Sequence, residues 1–153
     1  MARSIFKLSL KERIIIRSTR VNVWNTLNSL DSWAQWNSVC KTASWIYGDP
    51  WSQGSKFSMS LIFSGIVVPF TVTVEKSKEP YHLKWSSTFL GITGTREFTV
   101  EEIDKNTVQV TDSKSFKSNF LPIKLFYPQG IINKMSQEWL KSLKLQTELM
   151  NID

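Results

Sequence analysis

Apolar and polar residues alternate at a period of two through the middle of the chain, and turn residues interrupt the pattern about every ten positions. This alternation is typical of antiparallel strands that bury one face. The residues assigned to the buried face are Phe57, Met59, Leu61, Phe63, Phe70, Val72, Val74, Leu83, Trp85, Ser87, Phe89, Phe98, Val100, Val108, Val110 and Phe116. One apolar face over this length predicts a continuous sheet.

Two of the predicted hairpins turn at a glycine. A two-residue type II′ turn requires glycine at its first central position, and Gly65-Ile66 and Gly91-Ile92 both meet this requirement. The opposed pairs that these turns predict are Leu61 with Phe70 and Trp85 with Phe98.

Two further predicted hairpins have longer loops. One loop is Lys78–Tyr81, and the other is Asp104–Asn106, with Asn106 in the left-handed conformation. The opposed pairs in these hairpins are Val74 with Trp85 and Val100 with Val110. Directly opposed residues on antiparallel strands point to the same side. All four hairpins therefore agree on one apolar face.

The segment before these strands predicts one strand and two short helices. Lys11–Arg17 alternates as a strand, which begins as early as Ile5. Asn22 is the expected N-cap of a helix, and Asp31 is the expected cap of a second one. The aromatic and aliphatic residues at helical spacing are Val23, Trp24, Leu27 and Leu30 in the first helix, and Trp33 and Trp36 in the second.

The C-terminal part predicts one long helix. It begins near Pro128, a residue that suits a first turn, and runs to about Met150. Its apolar stripe is Ile132, Met135, Trp139 and Leu143, and its opposite side carries Lys134, Lys141 and Lys144. Residues 121–127 form either a separate short helix or a kinked first turn.

This order of elements predicts an α+β fold in a single domain, residues 1–153. A curved antiparallel sheet of about seven strands wraps round the long C-terminal helix, with two short helices after the first strand. The arrangement leaves an internal cavity between sheet and helix, and the seven Trp and nine Phe supply its lining. The fold therefore favours a binder of a hydrophobic small molecule.

Composition indicates a cellular location and disfavours several classes of partner. The only cysteine, Cys40, cannot form an internal disulfide, and the first 25 residues contain no signal-peptide core, so we expect a cytoplasmic protein. No apolar run approaches about 18 residues, so stable membrane insertion is not expected. The net charge of +6 is scattered along the chain, which disfavours nucleic acid. No cofactor motif or metal-ligand spacing is present, and the oligomeric state stays open.

Several segments resemble the START/Bet v 1-like (SRPBCC) superfamily, in particular its bacterial polyketide cyclase/dehydrase-like members. The segments that carry the resemblance are Val23-Trp24, Trp33–Asn37, Gly48–Phe57, Leu83–Trp85 and Glu138–Lys144. The resemblance covers essentially the whole chain and implies the helix-grip fold, with a lipid or a polyketide-like compound between sheet and helix. It also implies that the Gly48–Gly54 loop acts as a gate at the cavity entrance.

Charged residues interrupt the apolar face at one place. Arg96, Asp112 and Lys114 share the inward parity, and the predicted register sets Arg96 opposite both Lys114 and Ser87, with Asp112 diagonal to it. Buried charges must be paired, hydrated or bound to a ligand. Either the surplus cation anchors an acidic or oxygen-rich head group, or Arg96 and Asp112 form a structural pair and Lys114 extends to water.

The candidate ligand-binding residues lie on the inward faces of the strands and of the long helix. They are Met59, Leu61, Phe70, Val72, Trp85, Ser87, Arg96, Phe98, Asp112, Lys114, Phe116, Met135 and Trp139. The main alternative is a cyclase or dehydratase-like enzyme in which Arg96 or Lys114 polarises a carbonyl and Asp112 moves a proton. A third hypothesis is a chaperone-associated interaction domain without a ligand.

Overall fold

The computed structural model describes residues 6–119 and 122–150. The strands are β1 (Phe6–Ile16), β2 (Cys40–Tyr47), β3 (Lys56–Phe63), β4 (Ile66–Lys78), β5 (His82–Phe89), β6 (Ile92–Asp104) and β7 (Thr107–Ser118). The helices are α1 (Arg20–Leu27), α2 (Trp33–Trp36), α3 (Ile123–Phe126) and α4 (Gln129–Leu149), and a 3-10 turn spans Leu30–Ser32.

All seven strands form one antiparallel sheet in the order β1-β7-β6-β5-β4-β3-β2. The sheet packs its inward face against α4, whose predicted stripe Ile132, Met135, Trp139 and Leu143 is buried. The predicted α+β helix-grip fold is therefore confirmed. Within residues 6–119 and 122–150, no helix is both long enough and apolar enough to cross a membrane.

The two glycine turns differ from the prediction. The turn residues are Ser64-Gly65 and Leu90-Gly91, and all four have positive φ, between 46° and 83°, as type I′ turns require. The register consequently moves by two residues. The observed opposed pairs are Met59 with Phe70, Leu83 with Phe98 and Trp85 with Arg96. Because an even shift keeps every side chain on its face, the predicted apolar face is retained.

The pairs predicted for the other two hairpins are confirmed, since Val74 lies opposite Trp85 and Val100 opposite Val110. The β6–β7 loop was predicted wrongly, because Asn106 does not have a positive φ. A bulge between Glu102 and Asp104 shortens the loop to two residues. The Asp104 carboxylate accepts the Asn106 N–H at 2.9 Å and stabilises this turn.

The helix caps also differ from the predictions. Thr19, not Asn22, caps α1, because its hydroxyl accepts the Asn22 N–H at 3.1 Å. Asp31 lies within the 3-10 turn and caps no helix. The long helix was predicted correctly, and α3 is a separate short helix before it. Ile5 and residue 121 lie outside the described residues.

A turn substitution tests the observed register. In Leu90→Asn, a residue that tolerates positive φ replaces one that does not, and Leu90 is 54% exposed, so little apolar burial is lost. We expect the free energy of unfolding to rise by about 0.5 kcal/mol, measured by urea denaturation. Gly91→Ala should lower it, because Gly91 has a φ of 77°. A type II′ turn at residues 91 and 92 would leave Leu90→Asn without a gain.

Candidate ligand-binding cavity

A cavity lies between the sheet and α4. The space that the centre of a water molecule can reach is about 70 Å³, and the total free volume, counting the open side, is about 540 Å³. Its walls are Met59, Leu61, Phe63, Phe70, Trp85, Ser87, Gly94, Thr95, Arg96, Lys114, Phe116, Tyr127, Ile132 and Met135. The cavity is therefore apolar on most sides, with its cations on β6 and β7.

Most of the predicted binding residues line this cavity. They are Met59, Leu61, Phe70, Trp85, Ser87, Arg96, Lys114, Phe116 and Met135. The remaining four, Val72, Phe98, Asp112 and Trp139, do not line it. Each of these is at most 1% exposed, because the side chains of neighbouring elements cover it. Alternation along a strand predicts which side of the sheet a side chain faces. It does not predict whether other side chains separate it from the cavity.

Sequence reasoning missed five wall residues: Phe63, Gly94, Thr95, Tyr127 and Ile132. Phe63 and Ile132 belong to predicted apolar faces, so the signal for them was available. Gly94 has the inward parity of Arg96, and a Cβ there would lie only 3.2 Å from the Phe116 ring. Glycine therefore makes room for Phe116. No sequence signal places Thr95 or Tyr127 at the cavity.

A cluster of aromatic rings closes one end of the cavity. Trp33 is fully buried and lies 5.1 Å from Trp139 and 5.6 Å from Trp85, measured between ring centroids. Trp51 joins this cluster at 5.9 Å from Trp85, and its indole N–H donates to the Asn28 carbonyl at 2.6 Å. The predicted gate is wrong, because none of residues 48–54 lines the cavity. Trp51 instead holds that loop in the core.

The other end of the cavity is bounded by Tyr127, whose ring stacks on Phe116 at 4.6 Å and lies 6.5 Å from Phe63. Apolar residues on the adjoining turns and on α3 face solvent here. Ile66 is 68% exposed and Leu125 is 75% exposed. This end therefore has an apolar rim.

Arg96 and Asp112 form a buried ion pair on adjacent strands. Nε and Nη2 of Arg96 donate to the two carboxylate oxygens at 3.0 and 2.8 Å, and the two side chains are 8% and 0% exposed. The guanidinium also lies over the Trp139 ring, 4.0 Å from its centroid. The register places Arg96 opposite Lys114 and Asp112 diagonal to it, as predicted, but Ser87 is opposite Gly94.

Lys114 is the second cation of the wall. Its Nζ donates to the Ser136 hydroxyl of α4 at 2.5 Å, and Ser136 also hydrogen-bonds to Asp112. Among residues 6–119 and 122–150, no carboxylate forms an ion pair with Lys114. The structural-pair hypothesis is thus correct for Arg96 and Asp112. Lys114 turns toward α4 rather than extending to water.

Burial and neighbouring charges shift the pKa values of Asp112 and Lys114 in different ways. Burial tends to raise the pKa of Asp112, but Arg96, Lys114 and the hydrogen bonds from Arg96 and Ser136 outweigh it, so this pKa is lowered. Burial lowers the pKa of Lys114 to about 7, with a further contribution from Arg96, while Asp112 and Glu12 oppose the shift. Asp112 is therefore ionised, and Lys114 is partly neutral near neutral pH.

Solved structures of known proteins share this architecture. A START superfamily protein from Mycobacterium smegmatis superposes with a TM-score of 0.77 over 93% of this chain and 98% of its own, at 10% identity. The Zhui aromatase/cyclase from a Streptomyces species gives 0.78 over 94% of each chain, also at 10% identity. The chain has the START/Bet v 1-like fold.

A third structure of this fold is norcoclaurine synthase from Thalictrum flavum, with a TM-score of 0.78 over 99% of each chain at 9% identity. No protein-family profile matches the sequence, and no curated protein matches it either. At these identities the likeness establishes the START/Bet v 1-like fold and leaves the ligand to be argued from the cavity.

The ion pair gives a stability prediction. Arg96→Leu should lower the free energy of unfolding by about 3 to 5 kcal/mol, because it leaves the Asp112 carboxylate buried without its partner. The double variant Arg96→Met with Asp112→Leu should recover most of that loss, since both buried charges are then removed. Urea denaturation of the three proteins measures this. If the single and double variants lost equal amounts of unfolding free energy, the assignment of Arg96 and Asp112 as a buried ion pair would be wrong.

Lys114 gives a prediction for pH. The unfolded side chain has a pKa of about 10.4, whereas the folded one has a pKa of about 7. Between these values the unfolded chain binds more protons, so this residue makes stability rise as pH increases from 7 to 10. Lys114→Met should remove that rise and be the more stable protein at pH 6. Denaturation midpoints at pH 6, 7.5 and 9 test this, with Lys117→Met as the exposed control.

Proposed function

We propose that this protein binds a compact apolar molecule that carries a carboxylate or carbonyl oxygen, with Lys114 as its polar contact. The observation that carries the proposal is a lysine in an otherwise apolar wall, held by a neutral hydroxyl and not by a carboxylate. Ligand sites are typically apolar clefts with a few polar groups that orient the ligand. A cytoplasmic location remains a prediction.

Cavity size limits the ligand class. The reachable volume of about 70 Å³ is smaller than the engineered apolar cavity of about 150 Å³ that accepts benzene. A single ring or a short alkyl chain suits this space if part of the ligand occupies the open side near Tyr127. A multi-ring polyketide or a long-chain lipid exceeds the enclosed part of this space. The proposal is therefore narrower than the lipid or polyketide that the sequence resemblance implied.

Lys114 is a better anchor than Arg96. Both carboxylate oxygens of Asp112 already bind the Nε and Nη2 groups of Arg96, so these two donors of Arg96 are not available to a ligand. A ligand carboxylate at Lys114 would instead meet a cation without an ionic partner among the described residues. Binding of an acid also favours the charged amine, so acid affinity should rise as pH falls below 7.

The alternative of a cyclase or dehydratase-like enzyme has less support. It requires Asp112 to exchange a proton with the substrate, but the Asp112 side chain is fully buried and lies outside the cavity wall. Its lowered pKa also makes it a weak base. The aromatase/cyclase and the synthase of the same fold show that this architecture accommodates enzymes. They do not supply the missing proton carrier here.

A binding experiment tests the proposal. Benzoate and benzyl alcohol share one ring and differ in charge, so titration calorimetry at pH 6 separates the apolar contribution from the ionic one. We expect both to bind, and Lys114→Met to weaken benzoate binding about tenfold or more, because a hydrogen bond to a charged group contributes roughly 1.5 to 3 kcal/mol. Benzyl alcohol should keep its affinity within about twofold, a change of less than 0.5 kcal/mol.

Two controls complete this experiment. Lys117→Met removes a cation from the same strand on the exposed side, and it should leave both affinities unchanged. Met135→Trp adds bulk inside the cavity and should abolish both. Absence of binding by either compound, together with absence of a retained small molecule in native mass spectrometry of fresh protein, would contradict the proposal and favour the interaction-domain hypothesis.

A further inference from the structure

Lys114 has the surroundings of a nucleophilic amine. Its side chain lies in the same wall as Phe116, Ile132 and Met135, and its Nζ donates to the neutral Ser136 hydroxyl. Desolvation and a nearby cation are the two conditions that activate a lysine toward carbonyl compounds. Lys114 is half-buried in this apolar wall, and Arg96 lies directly opposite it on β6, so both features are present.

The charged groups around Lys114 set its protonation. Arg96 on β6 disfavours the ammonium form, while Asp112 on β7 and Glu12 on β1 favour it, and α4 contributes the uncharged Ser136. Together with burial, these charges lower the pKa of Lys114 to about 7, so a substantial fraction of the amine is neutral at pH 7. Exposed lysines, with pKa values near 10.4, are neutral in fewer than about one molecule in a thousand.

We propose that Lys114 captures an aldehyde or ketone in this cavity as a reversible imine. This proposal rests on the proposed binding function, because the carbonyl compound must first occupy the same cavity. The fold itself does not predict it, since it depends on the position of one lysine in this chain. It extends the function from oxygen recognition to covalent retention of a carbonyl compound.

The chemistry needs no further reagent. The Nζ lone pair attacks the carbonyl carbon, a C–N bond forms, and the C=O electron pair moves to oxygen. One proton passes from nitrogen to that oxygen, and the Ser136 hydroxyl, 2.5 Å from Nζ, is placed to relay it. Loss of the oxygen as water, with the second proton of the amine, gives the C=N bond. Hydrolysis reverses every step, so the capture is reversible.

Reductive trapping tests the inference. The folded protein is incubated at pH 7 with benzaldehyde and cyanoborohydride, which reduces an imine to a stable secondary amine, and the benzylated residue is identified by peptide mapping. We expect Lys114 to be labelled at least tenfold faster than Lys117 and the other exposed lysines. Excess benzyl alcohol, which fills the cavity without a carbonyl group, should suppress labelling of Lys114 alone.

Variants separate the amine from the fold. Lys114→Arg keeps the positive charge but cannot form an imine, so it should lose the fast label. Lys117→Met should keep it. Urea denaturation establishes that each variant is folded before labelling. Labelling spread evenly over exposed lysines, or an equally fast label in Lys114→Arg, would overturn the inference.

The outcome also distinguishes this inference from the proposed function. If benzyl alcohol and benzoate bind but Lys114 is not trapped, binding stands and covalent capture is wrong. If neither compound binds, both are wrong. Fast, suppressible labelling at Lys114 supports both.

Discussion

The ion pair between Arg96 and Asp112, covered by Trp139, is the interaction on which the site depends. Two charges withdrawn from water must satisfy each other, and the two-point contact at 3.0 and 2.8 Å does so. The pair also fixes the guanidinium plane beneath the Trp139 ring, at 4.0 Å from its centroid. A cation held against an indole face stabilises the contact between sheet and helix. This junction is one of the contacts that hold α4 against the inward face of the sheet.

The same pair determines which cation is available to a ligand. Arg96 and Lys114 are directly opposed on β6 and β7, and Asp112 binds the guanidinium, so Lys114 is left with a hydroxyl partner. The charge of Arg96 then acts on Lys114 as a nearby repulsive cation. Because Asp112 pairs with Arg96, Arg96 has a structural role. Lys114 is left as the cation that a ligand can meet. This division supports both the proposed oxygen contact and the proposed imine.

The tryptophan cluster determines the size of the space that remains. Trp33, Trp51 and Trp85 fill the end of the sheet where a larger cavity would otherwise extend. The resulting volume suits a compact ligand, although the fold is shared with an aromatase/cyclase and a synthase. In the proposed function, the ligand class therefore follows from side-chain volume inside a common architecture, and not from the architecture itself.

The sequence by itself determined the order of elements, the inward face of the sheet and the apolar stripe of α4, because periods of 2 and 3.6 are local properties of the backbone. Both glycine turns were predicted one residue too late, yet Phe70 and Phe98 kept their faces because the register moved by an even number. Only the tertiary structure decided that Asp112 pairs with Arg96, that Lys114 meets Ser136, and that Trp139 lies beneath the cavity wall. These contacts join residues on different elements. They depend on distances of a few ångströms and on packed volume, which periodicity does not encode.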